Sequence, residues 1–342
     1  MHRSSTTALV SPRKRSRRRA APPTAQVMNA VAIDRFGPPS ALKVRPMEVP
    51  TPGPNEILIA VSSAGVGIWD TEIRGGWWPE GKPKFPLVLG TDGAGIVAAM
   101  GSRVRRFAAG ERVWAYEFVN PKGGFYAEFV AVDARHAGPI PENLDLLEAG
   151  AAAVTGLTAF QGVHDHLRVR PDETALIFGA SGAVGSLAVQ FAKHAGAAVI
   201  AVARGDDAVA LVRKLGADIA IDASGDDFID QLREVAPDGI DAVLALAGGD
   251  RLDACLDLVR KGGRVTHPNG VEPAPRRRRN LHVTSYDAKA GPRQFAALKA
   301  AAEECRLQVP LGGVFPLDQA ARAHEALEKD RVLGRIALRI RR

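Results

Sequence analysis

Residues 174–185 read Thr-Ala-Leu-Ile-Phe-Gly-Ala-Ser-Gly-Ala-Val-Gly, an apolar run that passes into small residues. The apolar run predicts a buried strand at Thr174–Phe178, and the stretch behind the small residues predicts a helix over Ala183–His194. A strand that turns this abruptly into a helix needs small side chains. Gly179 and Ala180 permit the turn, Gly182 leaves its backbone open to a close neighbour, and Gly185 lets the helix pack against the strand. The first turn of such a helix has unpaired N–H groups and the positive end of the helix dipole, a place for an anion and above all a pyrophosphate. Ala180, Ser181, Gly182, Ala183, Val184 and Gly185 are therefore candidate cofactor-binding residues.

The surroundings strengthen the reading. Strands are expected at Ala198–Ala203, Asp218–Ile221, Asp241–Leu246 and Arg264–His267, and helices at Asp206–Leu215, Asp227–Glu234 and Arg251–Arg260. Glycines follow these helices at 196, 216 and 262–263. Alternating strand and helix predicts a doubly wound parallel sheet, an α/β fold. In a unit that binds NAD, an acid about 20 residues after the loop takes the ribose hydroxyls. Here Arg204 ends the second strand instead, with Asp206 and Asp207 close behind. A guanidinium at that place pairs with the 2′-phosphate of NADPH, so NADPH is the expected cofactor.

The first half of the chain is patterned differently. Short strands at Asn29–Ile33, Leu42–Glu48, Glu56–Ser63 and Gly110–Ala115 are separated by Gly and Pro, which predicts a small irregular β-barrel. Late in the chain, helices are expected near Pro292–Cys305 and Leu317–Leu327. A final strand at Gly334–Ile340 is a candidate to return to the first domain. The 342 residues thus divide into a segment 1–27, a first domain 28–150, a nucleotide domain 151–288 and a C-terminal segment 289–342.

The formal charge of +7 suggests a nucleic-acid partner until it is located. Residues 1–27 contain Arg3, Arg13, Lys14, Arg15, Arg17, Arg18, Arg19 and no acid, so the body is balanced. The basic segment lacks a hydrophobic period and is expected to be disordered. Its readings are a solvated extension, a transit peptide or a phosphate-binding arm, and nucleic acid is not the expected partner of the body. No apolar run approaches membrane-span length on this reading. Two cysteines, Cys255 and Cys305, exclude a disulfide framework and a cysteine-rich zinc lobe, and a reducing cytoplasm is expected.

From Met28 to Arg342 the chain resembles the zinc-independent quinone oxidoreductase branch of the medium-chain dehydrogenase/reductases, the group that includes zeta-crystallin and enoyl reductase-type domains. The resemblance rests on Ala-Ile-Asp-Arg-Phe-Gly-Pro-Pro at 32–39, Phe-Pro-Leu-Val-Leu-Gly-Thr-Asp-Gly-Ala-Gly at 85–95 and Gly-Phe-Tyr-Ala-Glu-Phe at 124–129. It rests also on Leu-Thr-Ala-Phe at 157–160, the stretch Asp172–Lys193, Leu-Gly-Ala-Asp at 215–218 and Gly-Arg-Ile-Ala-Leu-Arg-Ile at 334–340. The resemblance implies a GroES-like β-barrel beside a Rossmann domain, with hydride transfer in the cleft between them. This chain departs from the family pattern in four places. Ala183 stands for a second glycine, Gly67 for an asparagine, and Trp78 for a tyrosine of several members. Gly67 or its neighbours and Thr91 occupy the places where zinc-dependent relatives carry a cysteine and a histidine, so no metal site is expected.

In that cleft Trp77 and Trp78 would form an apolar wall for a flat acceptor, Trp78 being the catalytic-site candidate. Tyr126 is a candidate to donate a hydrogen bond to a developing oxyanion, and Thr158, His267, Asn269 and Tyr286 are candidate cofactor contacts. The expected activity is NADPH-dependent reduction of a quinone or an α,β-unsaturated carbonyl without zinc. The alternatives are an enoyl-thioester reductase and a non-catalytic NADPH-binding structural or sensor protein. A homodimer is implied by the resemblance. No general acid is evident, and solvent would supply the proton.

Overall fold

The computed structural model describes residues 26–79 and 81–341. The basic segment 1–27 lies outside them except for Gln26 and Val27, the latter already in the first strand.

The elements run β1 (Val27–Ile33), β2 (Lys43–Glu48), β3 (Glu56–Val66), α1 (Ile68–Gly75), β4 (Leu87–Val88), β5 (Asp92–Met100), β6 (Arg112–Tyr116), β7 (Phe129–Asp133), β8 (Ala137–Pro139) and α2 (Leu146–Gln161). Then follow β9 (Thr174–Phe178), α3 (Gly185–His194), β10 (Ala198–Ala203), α4 (Asp206–Lys214), β11 (Ile219–Asp222), α5 (Phe228–Val235), β12 (Ile240–Ala245) and α6 (Asp250–Leu256). The chain closes with β13 (Val259–Pro268), β14 (His282–Tyr286), α7 (Pro292–Glu304), β15 (Leu311–Pro316), α8 (Ala320–Lys329) and β16 (Arg335–Arg339).

β9–β14 form a parallel sheet in the order β11-β10-β9-β12-β13-β14. That is the doubly wound order, with β9 and β12 flanking the point where strand order reverses. Ala175, Leu176, Ile177, Val199, Ile200, Ala201, Val243 and Leu244 are all buried, as strands covered by helices on both faces require. The second sheet, ordered β15-β16-β3-β5-β6-β8 with β7 also on β3, is joined by the small sheet β2-β1-β4. Val31 N–H donates to the Tyr126 carbonyl and Glu128 N–H to that of Asn29, which closes the irregular barrel. The last strand, β16, lies antiparallel to β3 with Ile336 opposite Val66 and Arg339 opposite Ser63.

Helix α2 holds the two halves together. Asp145 and Glu148 form a capping box at its start. Its run Ala149–Ala153 is built of Ala and Gly, and a Cβ on Gly150 would overlap the Ser63 side chain of β3. The domain boundary drawn at 150 therefore cuts through a helix that packs on the barrel sheet and on α3 of the nucleotide domain. With the π-helical turn that follows, residues 146–167 make a 22-residue apolar stretch, long enough to cross a membrane. In the sequence it is not one unbroken apolar run, because Glu148, Gln161, His164, Asp165 and His166 interrupt it. Most of that stretch is buried inside the protein.

Three other expectations need correction. The helix drawn over Arg251–Arg260 ends at Leu256, because the Leu258 carbonyl accepts from Ile240 N–H and Val259 pairs with Ile240 in the sheet. Gly262 and Gly263 consequently lie inside β13 rather than behind a helix. Strands β14 and β15 were not expected, since His282–Tyr286 is polar and Leu311–Pro316 holds two glycines and ends in proline.

The turn between β9 and α3 has the geometry its sequence requires. Gly179 has φ +84°, and the amides of Gly179 and Ala180 both donate to the Val202 carbonyl. A Cβ on Gly185 would collide with the Gly179 carbonyl and lie 2.7 Å from the Ala180 Cα. Gly185→Ala should therefore lower stability by about 1–3 kcal/mol, the usual cost of overpacking a rigid contact. A urea-denaturation series against the parent chain measures this, and an unchanged midpoint would mean that the turn relaxes freely.

Candidate active site

The glycine loop opens toward the cleft on one side only. A Cβ on Gly182 would meet a single atom, the Gly179 carbonyl at 3.6 Å, so this backbone is accessible where Gly185 is not. Ala180 is buried, while Ser181, Gly182, Ala183 and Val184 are half-buried along the rim and Gly185 is buried against the strand. The far side of the loop is held by the C-terminal segment: Gly334 N–H donates to the Ser181 carbonyl at 2.8 Å, and Gly182 bridges to Gly334.

Arg204 is exposed at the end of β10, beside this loop. Arg331, just before β16, donates from Nη1 to the Arg204 carbonyl at 3.0 Å. The structure thus adds a second guanidinium to the corner at which the sequence placed one. No local pattern marks Arg331, which arrives from 127 residues away. Asp222, at the end of β11, accepts from the Gly205 and Ser224 amides, and those hydrogen bonds hold its carboxyl below the ordinary range.

On the barrel side, Gly67, Asp70, Thr91, Asp92 and Arg335 meet. Arg335 Nη2 pairs with Asp92 Oδ1 at 3.0 Å, both side chains being buried. The other Asp92 oxygen accepts from Val154 N–H of α2 at 3.1 Å. A Cβ on Gly67 would lie 3.0 Å from Arg335 Nη2. The guanidinium therefore fills the space that a side chain at Gly67 would take. Burial is the main influence raising the Asp92 carboxyl, and Arg335 opposes it. Asp70 accepts the Gly67 N–H at 2.9 Å and so caps α1.

The remaining candidates divide. Trp78 is half-buried and lines a small cavity with Ile73, Leu89, Thr91 and Val119. Its neighbour Trp77 points outward. His267 and Asn269 lie at the C-terminal end of β13, the ligand edge of the sheet; His267 Nδ1 contacts the Pro268 carbonyl and Asn269 Nδ2 donates to Asp287. Tyr126 is a correction. It is 0% exposed, and its hydroxyl bonds His324 Nε2 at 3.0 Å, so a substrate oxygen has no path to it. Burial, followed by Arg74, pushes His324 down to about 3, which keeps that ring neutral. Tyr286 is a second correction. Its hydroxyl donates to the Thr158 carbonyl at 2.7 Å and its ring stacks on His166, so it braces β14 against α2 rather than contacting a cofactor. The Thr158 hydroxyl is committed to the Val154 carbonyl of its own helix at 2.8 Å.

Residues 53–142 match the family model for the alcohol dehydrogenase GroES-like domain, and residues 183–268 that for zinc-binding dehydrogenases. The chain is 31% identical over 314 residues to the quinone oxidoreductase of Mus musculus, covering 88% of this chain and 94% of that protein. The chain belongs to the quinone oxidoreductase family of medium-chain dehydrogenase/reductases. The human quinone oxidoreductase is 30% identical over the same share of this chain. Among solved structures, Escherichia coli quinone oxidoreductase complexed with NADPH superposes with TM-score 0.79 at 26% identity, covering 91% of this chain and all of that one. An NAD-dependent alcohol dehydrogenase gives TM-score 0.85 at 30% identity, covering 92% and 100%. This family member is an oxidoreductase with an NAD(P)-binding fold.

Burial, reinforced by Asp92, raises the Asp70 carboxyl to about 7 from an ordinary 3.8, against the Gly67 amide and Arg335. Between these values the folded chain keeps a proton that the unfolded chain has lost. This group's contribution to stability is present below pH 4 and is lost as pH rises toward 7. Asp70→Asn keeps an acceptor for Gly67 and removes the titration. The variant should gain on the parent between pH 5 and pH 8, by at most about 1.4 kcal/mol per pH unit. Urea midpoints of both proteins at the two pH values give the answer, and parallel pH profiles would refute it.

Proposed function

We propose that this oxidoreductase is an NADPH-dependent, zinc-independent reductase of quinones or α,β-unsaturated carbonyls. The observation that carries the cofactor preference is the pair Arg204 and Arg331 at the end of β10, beside the glycine loop. Two guanidiniums there suit the 2′-phosphate of NADPH, and no acid ends β10 to take a bare ribose. Bound here, NADPH would supply a hydride to an electrophilic carbon of the acceptor, whose oxygen would take up a proton from solvent. Ser181, Gly182, Ala183 and Val184 would hold the pyrophosphate at the start of α3, with His267 and Asn269 on the adjacent sheet edge. Trp78 and the cavity residues around Thr91 exclude water from the acceptor side.

Residue chemistry also supports operation without zinc. Gly67 has no side chain, Thr91 offers only a hydroxyl, and the Arg335 guanidinium already balances Asp92 in that space. A cation bound there would displace or repel a fixed positive charge. A homodimer belongs to the same reading, because β14 forms an outer edge of the parallel sheet.

The test is NADPH oxidation followed optically with 1,2- and 1,4-quinones and short enones, with and without a chelator. Turnover should be insensitive to the chelator and weaker with NADH. Arg204→Ala should raise the KM for NADPH about tenfold, the loss of about 1.4 kcal/mol of charge-assisted pairing, while leaving the KM for NADH within about twofold. Equal effects on both cofactors would remove the 2′-phosphate assignment, and inhibition by the chelator would remove the zinc-free one.

A further inference from the structure

Three large aromatic side chains outside the cavity remain to be explained. Trp69 lies in the first turn of α1, Trp77 just beyond that helix and Phe118 in the loop after β6. Their ring centroids are 5.3 Å apart for Trp69–Trp77, 5.8 Å for Trp69–Phe118 and 5.9 Å for Trp77–Phe118. Three such rings in mutual contact normally close into a core. These stay open: Trp77 is 42% exposed, neighbouring Ile68 is 64% exposed, and Trp69 and Phe118 are only half-buried.

Their position gives the exposure a meaning. The edge of the Trp69 indole faces Gly270, whose Cβ would lie 3.5 Å from it, so the cluster reaches across to the segment that follows β13. That segment is the ligand edge of the nucleotide sheet and carries Asn269. Trp69 also directly precedes Asp70, and Phe118 follows Glu117, whose amide donates to the Thr91 carbonyl. The three rings therefore lie where the barrel meets the nucleotide domain, outside the small cavity that Trp78 and Thr91 line.

We propose that Trp69, Trp77 and Phe118 form an aromatic rim that binds the outer ring of a fused-ring acceptor, and that this rim makes the enzyme prefer polycyclic over single-ring quinones. The inference rests on the quinone and enone reading above. A single-ring acceptor does not reach the three rings and leaves them in water. A fused second ring extends outward and exchanges exposed indole surface for stacking on an electron-poor plane.

The experiment compares kcat/KM for 1,4-naphthoquinone and 1,4-benzoquinone at saturating NADPH in the full chain and in Trp69→Leu, Trp77→Leu and Phe118→Leu. Leucine keeps the rim apolar. NADPH affinity, read from the cofactor's fluorescence, should stay at the parent value and report an intact fold. The naphthoquinone-to-benzoquinone ratio should fall about fivefold in at least the two tryptophan variants, the scale of one aromatic contact. An unchanged ratio overturns the rim. If the parent chain reduces neither quinone, the reading beneath it fails, and the rim is judged by equilibrium dialysis with 1,4-naphthoquinone. Saturable binding that weakens in Trp77→Leu then supports it, and absence of saturable binding to the parent overturns it.

Discussion

The buried pair between Arg335 and Asp92 ties together segments 243 residues apart. Arg335 opens β16, Asp92 opens β5, and the second Asp92 oxygen is held by the backbone of α2. Two charges removed from water attract strongly only when their remaining hydrogen-bonding capacity is met, and the Val154 amide meets part of it. From that anchor the chain runs in both directions. Upstream, Gly334 holds the glycine loop and Arg331 reaches Arg204; downstream, Ile336–Arg339 zip onto β3. Nine residues, 331–339, thus touch the glycine loop, the end of β10 and the barrel sheet.

This arrangement explains how a cleft between two domains can hold a fixed geometry. Hydride transfer requires donor and acceptor carbons in near contact, and small errors of placement are costly. The glycine loop is anchored through Ser181 and Gly182 to the same segment that pairs with Asp92 of the barrel. Helix α2 supplies the second tie, with small residues that let it lie close on β3 while its outer face meets α3. The two domains are therefore coupled by backbone and by buried charge.

Much of the nucleotide half was legible along the chain. Strands β9 and β10 begin and end where apolar periodicity put them, because buried parallel strands and small-residue turns are local necessities of such a sheet. Arg204 could be found by counting from Gly185. The barrel half was less legible. Tyr126 reads as a reactive phenol in a glycine-rich motif, and only packing reveals that it faces His324 in the core. Tyr286 likewise ends a strand of the nucleotide sheet, yet its hydroxyl closes a hydrogen bond to α2. Sequence position places a side chain near a cleft without saying which way it turns.

The sequence by itself determined the fold class, the strand-to-helix turn and its glycines, and one arginine at the end of β10. Those features depend on residues within about 30 positions of one another, where periodicity and backbone sterics act directly. Only the tertiary structure decided that Arg331 joins Arg204, that Arg335 fills the space beside Gly67, and that Trp69, Trp77 and Phe118 share a rim. Each of these needs segments distant in the chain to be brought together by burial and sheet pairing, and no local pattern encodes which distant partner will arrive.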